Sequence, residues 1–365
     1  MSKIFSSFFI LLIFFCLFLV TPFLLLAQGQ QASESAVLQP SETTFFEGTV
    51  VAVEETDFLQ NLQVAISSGE LAGETVLVSV GGMEGKVSES EISVGDRVLL
   101  GKVGETFYVH DFLRKKALFW LFMLFLGVAV LVAGRAGISS FVGLAMSFLV
   151  ILKFILPRIL VGCDPVGTVV LASFLLVPFN FYLSHGFNRK TTVAIGSTLV
   201  AILLGGLLAQ GFTEFANLTG FASEATSFLK ASGADIPDMR GLVLAGIIIG
   251  FFGILDDVTI AQASLVVQLK EAKPSATFGE LFSRGLRVGK DHIASVINTL
   301  FLVYAGAALP LLLLFVYTEQ PLGLILNTEP VAEEIVRTLV GSIALISAVP
   351  LTTFLACAFA TEGSS

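Results

Sequence analysis

Residues 241–270 read GLVLAGIIIGFFGILDDVTIAQASLVVQLK, and from Gly241 to Leu269 the only ionisable side chains are Asp256 and Asp257. About 20 apolar residues at roughly 1.5 Å each cross the hydrocarbon of a bilayer, and this run is longer. Charged groups inside lipid are costly, so they face a bundle interior or a watery path. One stretch thus sets the fold class, a helical membrane bundle, and supplies the first candidate site.

The same character extends in both directions. The apolar set makes up 55% of the 365 residues, with 34 glycines besides, and charged residues only 13%. That is half the charge of an ordinary soluble domain. Residues 28–116 hold 14 acids and 6 bases, nearly the whole of the chain's net −9. The chain is therefore read as a membrane protein with one acidic soluble module. A negative chain without a basic cluster lacks the electrostatic footprint of a nucleic-acid binder. Cys16, Cys163 and Cys357 stand far apart in or beside apolar runs. They form neither a CxxC pair nor a disulfide framework, and packing is their reading.

Apolar periodicity predicts spans near 117–134, 138–156, 166–184, 191–211, 241–262, 293–316 and 337–358. An eighth, Phe8 to Ala27, follows an n-region whose one charge is Lys3. Pro22 and Ala27 suggest a cleavage region, but Leu25 is not the small residue a signal peptidase prefers. An uncleaved anchor over 1–27 is favoured over a cleaved signal, and both start the following chain outside. Residues 28–44 are a Ser/Gln-rich linker. From 45 to 113 the period becomes two: GTVVAVEE, NLQVAIS, ETVLVSV, DRVLLGKV and TFYVHDF alternate between Gly, Asp and Ser turns. Five short strands predict a small closed barrel of OB or SH3 type. No aromatic stacking row or metal cluster is evident there, and His110 stands alone. The expectation is a mainly α fold: a polytopic helical bundle of about eight spans including the anchor, a small extracytoplasmic all-β barrel-like domain, and a cytoplasmic tail at 359–365.

Charge checks the topology. Connections expected inside carry Arg135, Arg189, Lys190, Lys270, Lys273, Arg284, Arg287 and Lys290. Those expected outside carry Glu214, Glu224, Asp235, Asp238, Glu319, Glu329, Glu333 and Glu334. This is the positive-inside bias. Arg114, Lys115 and Lys116 run against it, beside the translocated β domain.

Within the quoted run, Gly246, Gly250, Gly253, Asp257, Ala261, Ser264 and Gln268 recur at spacings of three and four, one stripe of a helix. Glycines so spaced admit a neighbouring helix, so Gly246, Gly250 and Gly253 are read as a packing face that includes Asp257. Asp256 lies about 100° round, beside Ile249 and Ile260. Two readings compete for the pair. In one, the carboxylates bind a proton or cation in a translocation path, with Gln262 alongside. In the other, they end the span and cap an interfacial helix starting near Val258. A second polar face combines Asp291, Ser295 and Asn298, with His292 adjoining, as a possible polar gate. Asn298 is the deepest and is read into the path or into a helix-to-helix hydrogen bond. Pro310 predicts a kink. Pro178 and Pro350, four spans apart, hint at a repeat.

No HExxH, GxSxG or GxxxxGK[ST] pattern occurs, so no enzyme, resident cofactor or catalytic group is expected. Instead GIIIGFFGILDDVTIAQASLVVQL and GLRVGKDHIASVINTLFLVYAGAALPLLL resemble the YibE/F-like family of bacterial multi-span membrane proteins, as does the plan of anchor, β domain and further spans. The resemblance implies a bacterial cytoplasmic membrane location with the β domain outside. It suggests transport and carries no catalytic residues. The first expectation is a transporter of a small solute or cation through the lipid bilayer. The alternative is a non-transporting sensor or scaffold whose β domain binds an outer protein or wall component. The metal, if any, and the oligomeric state stay open.

Overall fold

The computed structural model describes residues 44–362 except 57–58, 81–91, 234–235 and 237. The expected anchor, the linker up to residue 43, Cys16 and Asp235 lie outside the described residues. The chain divides into two compact units that meet between Gly134 and Arg135.

The first unit carries all five expected strands: β1 (Thr44–Thr56), β2 (Leu59–Ile66), β3 (Thr75–Val80), β4 (Arg97–Val103) and β5 (Thr106–Phe112). They form one antiparallel sheet in the order β3-β2-β1-β4-β5. Alternation explains it. Val50, Leu62, Val64, Val78, Val98 and Leu100 point inward and are almost wholly buried, while intervening residues face out. The sheet curls as a half-barrel. A bulge between Val50 and Ala52 bends the long β1, and the edge strands β3 and β5 come into contact. Among the described residues no ladder joins those edges, so the expected closed barrel is seen as an open one. Gly48 sits at a tight point, where a Cβ would stand 2.5 Å from Val64 Cγ1. Helix α1 (Lys115–Ala133) follows in the same unit with no buried residue.

On the outer row of β1, Glu47 takes the Lys115 ammonium at 2.7 Å and the Arg97 guanidinium at 3.5 Å. The Lys115 hydrogen bond, then its charge and that of Arg97, hold the Glu47 carboxyl below its ordinary range. A carboxyl depressed in the folded state stabilises above its unfolded pKa, and that contribution fades as pH falls through the folded value. Hydrogen exchange in β1 and β4 is therefore expected to show wild type better protected than Glu47→Gln at about pH 6. The difference should vanish near about pH 3, and it should be small throughout because the group is open to solvent.

The second unit is helical. Helix α2 (Arg135–Val150) passes through a π turn at Ile151–Ile155 into α3 (Leu156–Leu160). Then come α4 (Pro165–His185), α5 (Arg189–Phe215), the short α6 (Glu224–Ala231), α7 (Met239–Ala272), α8 (Phe278–Ala307), α9 (Leu309–Tyr317), α10 (Leu322–Ile325) and α11 (Glu329–Glu362). Six helices of the two units are long and apolar enough to cross a membrane, seven if α8 and α9, bent by 62°, count as one. These candidate spans imply a surrounding bilayer. Pro310, in the first turn of α9, falls at the expected kink. Of the tail expected at 359–365, residues 359–362 are the end of α11, which runs to Glu362.

Side chains at the helix starts set the boundaries: Asp164, Asn188, Asp238 and Thr277 each cap the next helix by accepting a backbone N–H. Helix α11 packs on α5, α7 and α8, and α5 packs on α7. Ile202, Phe251, Leu255, Ala344, Leu345 and Val349 fill this centre. At one end, Glu329 accepts from the backbone N–H groups of Thr219 and Gly220, and Gly220 lies against the Met239 backbone. The end of α5 and the starts of α7 and α11 thus meet on one side, as alternating spans require.

Candidate functional site

Helix α7 is unbroken from Met239 to Ala272. Asp256 and Asp257 stand midway along it, about 25 Å from its start. Capping is overturned here, because an N-cap needs non-helical backbone and a fresh first turn after it, and neither exists at Val258.

The side of α7 that packs is Val243, Ile247, Phe251, Leu255, Val258, Gln262 and Val266. The stripe of small residues lies opposite. Gly250, Gly253, Asp257, Ala261 and Gln268 are exposed, and Gly246 and Ser264 are half-buried. The packing face expected at Asp257 is thus the open face of α7 among the described residues. Periodicity identified a face without saying which way it points. The bulkier face won because its side chains give neighbouring helices more contact.

Two of the three glycines do make room, but for side-chain tips and not for a helix. A Cβ on Gly250 would stand 3.2 Å from the Tyr304 hydroxyl, and one on Gly246 would stand 3.5 Å from Arg337 Nη1. Around Gly253 nothing lies within 4 Å. Arg337 is itself tied to Glu333 at 2.6 Å and to Glu334 at 3.3 Å, one and two turns into α11. These three side chains are only 16–29% exposed. A cavity of about 220 Å³ beside them is lined by Phe301, Tyr304, Leu312, Val331, Glu334 and Thr338. From sequence, both glutamates fall in an outer connection and the span begins at Arg337, so the triad is not expected there. The i,i+3 and i,i+4 spacing of acids and base was the available signal.

At mid-helix the two aspartates differ. Asp257 is exposed. Asp256 is half-buried, and its Oδ1 is shielded with no hydrogen-bond partner among the described residues. A polar atom left so is uncommon and asks for a reason. One turn on, the hydroxyls of Thr259 and Thr198 meet at 2.7 Å, tying α7 to α5. Next, Gln262 Nε2 donates to the Gly285 carbonyl at 2.9 Å and to Thr353 Oγ1 at 2.7 Å, tying α7 to α8 and α11. Gln262 is buried at 5% exposure and works as a three-helix tie. Gln262→Leu keeps the volume and removes both bonds. It should lower the stability of the detergent-solubilised protein by about 1 kcal/mol, read as a fall in melting temperature.

Among the described residues no hydrogen bond or ion pair joins the second polar face to the aspartates. Asp291, His292, Ser295 and Asn298 are all exposed on α8. Among the described residues Asn298 makes no hydrogen bond, so its expected helix-to-helix tie is not formed among them. No group of three or more His, Cys, Asp or Glu side chains converges as a metal cage among the described residues.

Chemically, the second unit offers a string of polar groups down α7: an Arg–Glu–Glu cluster with Tyr304, a carboxylate pair with one unsatisfied oxygen, a hydroxyl pair, and a bonded glutamine. Such a string can relay a proton or hold a small cation without any nucleophile or catalytic pair. In comparison with known proteins, the family model described as YibE/F-like protein matches residues 121–362. No curated protein and no solved structure matches the chain.

Proposed function

The chain belongs to the YibE/F-like family, and from that premise we propose that it carries a small ion or solute across the bacterial cytoplasmic membrane past the aspartate pair of α7. The observation that carries this reading is the shielded, unpartnered Oδ1 of Asp256 at the middle of a 34-residue membrane helix. A fold retains a carboxylate there at a cost to stability, which selection tolerates when the group binds something that comes and goes. Asp257, on the open face one residue away, gives a transferred proton or cation a second station. No residue is assigned to catalysis. The test is flux: purified protein in liposomes under proton, sodium or potassium gradients, wild type against Asp256→Asn. Gradient-driven flux that the substitution removes supports the path, and equal flux in both defeats it.

A second reading rests on the β unit. Phe45, Tyr108 and His110 form an exposed aromatic ledge on β1 and β5, with Phe45 and His110 ring centroids 5.1 Å apart and those of Tyr108 and His110 6.3 Å apart. Tyr108 lies over Gly101, whose missing side chain makes room for the ring. No such row is evident in the sequence, because the three aromatic residues meet only when β1, β4 and β5 pair. An open ledge of this kind suits a bound partner. It supports the sensor or scaffold alternative, in which outer binding survives Asp256→Asn and is lost when Phe45 and Tyr108 are truncated.

A further inference from the structure

The end of the helical unit opposite Glu329 holds a cavity of about 580 Å³ between the start of α5 and the ends of α7 and α11. Its polar wall is Arg189, Lys190 and Lys270, with Asn188 and a single carboxylate, Glu271. Its apolar wall includes Val193, Val267 and Phe359. Three cations against one acid leave the cavity positive.

Those cations are not used by the fold in the ordinary way. Among the described residues neither Arg189 nor Lys190 makes an ion pair or a side-chain hydrogen bond. Lys270 donates one bond, to the Ala276 carbonyl at 3.1 Å, and keeps two protons free. Of the other basic residues at this end, Lys273 is neutralised by Glu280 at 2.9 Å, and Arg284 and Arg287 are not among the residues that line this cavity. The first turn of the 27-residue α5 also opens here, and its field favours an anion. The cavity is two-sided in chemistry, with cations at its polar wall and aliphatic and aromatic side chains, Phe359 exposed at 48%, at the other.

We infer that this cavity binds the phosphate group of an anionic membrane lipid, with Arg189, Lys190 and Lys270 around the phosphate and the acyl chains along Val193, Val267 and Phe359. Phosphate is the shared chemistry of a lipid head group and of free inorganic phosphate. The apolar wall selects the lipid, since a free ion gains nothing from it.

The experiment uses the full chain in phosphatidylcholine nanodiscs and measures melting temperature as phosphatidylglycerol is added. Wild type is expected to rise by about 5 °C. Arg189→Gln with Lys190→Gln removes two cations that make no ion pair or side-chain hydrogen bond among the described residues, and should lose at least half of that rise. Arg284→Gln with Arg287→Gln, at the same end but outside the cavity, should keep it. An equal rise in the cavity variant and wild type overturns the site. A full rise from inorganic phosphate alone, without phosphatidylglycerol, overturns the lipid as its occupant. If the cavity variant melts before addition, native mass spectrometry of Lys190→Gln alone decides by whether bound phosphatidylglycerol falls relative to wild type.

Discussion

Gly205→Val should lower the stability of the helical unit by about 3 kcal/mol, the upper part of the range for overpacking a filled core. A Cβ at Gly205 of α5 would stand 2.6 Å from Phe251 Cζ of α7 and 3.0 Å from Ala344 Cβ of α11. Phe251 is 1% exposed and so has nowhere to swing. The tip of the ring occupies a slot that Gly205 makes, at the junction of the three helices that hold the unit together. Van der Waals fit of this kind is what joins helices in lipid, where no hydrophobic force draws them together. The neighbouring Gly206 is the control. Its nearest atom would be Ile248 Cδ1 at an ordinary 3.5 Å, so Gly206→Ala should be neutral or slightly stabilising through helix propensity. The slot makes a further demand: Gly205→Ala with Phe251→Leu should cost less than the two single changes added together. Thermal melting in detergent checks all five variants. Gly205→Ala melting like Gly206→Ala would mean that the ring is not confined.

The sequence told the elements of this protein more surely than their contacts. All five strands announced themselves through alternation of Val and Leu with polar residues, and the long spans through charge-free runs, because those patterns are local. The kink at Pro310 was local too. Direction was harder. The stripe from Gly246 to Gln268 is a true helical face, yet a membrane helix is apolar nearly all round, so composition does not say which side meets protein and which meets lipid. Phe251 and Gln262 became the inward face because Gly205, Gly285, Gly289 and Thr353 on other helices accept them. Those residues lie tens of positions away in sequence. The aromatic ledge of Phe45, Tyr108 and His110 was hidden for the same reason. The Arg337 cluster was missed differently, since its acids lie within one turn of the base. It was read as a boundary because charge was treated as a sign of exposure, although paired charges at helical spacing can sit well inside a span.

That distinction between paired and unpaired charge also ranks the aspartates. Asp256→Asn is expected to reduce flux at least about tenfold, the largest functional effect of any single change. It replaces an oxygen with a nitrogen of nearly the same size, so the helix and its contacts remain while the charge and the exchangeable proton site go. In the same sample the variant should melt slightly higher than wild type, by the equivalent of about 1 kcal/mol, because a shielded carboxylate without a partner has been removed. Asp257→Asn, on the exposed face, should reduce flux less and leave the melting temperature where it was. Asp256→Glu keeps the charge and should recover part of the lost flux. The informative outcome is the pairing of opposite signs at Asp256. A residue that only props up the fold loses stability and activity together, whereas a residue retained for what it binds loses activity while stability rises. If Asp256→Asn lowers both, the oxygen is satisfied by something in the folded protein and the path does not run through it. If it raises stability and flux is unchanged, transport uses another route, and Arg337 with Tyr304 beside Gly246 and Gly250 is where it would have to begin.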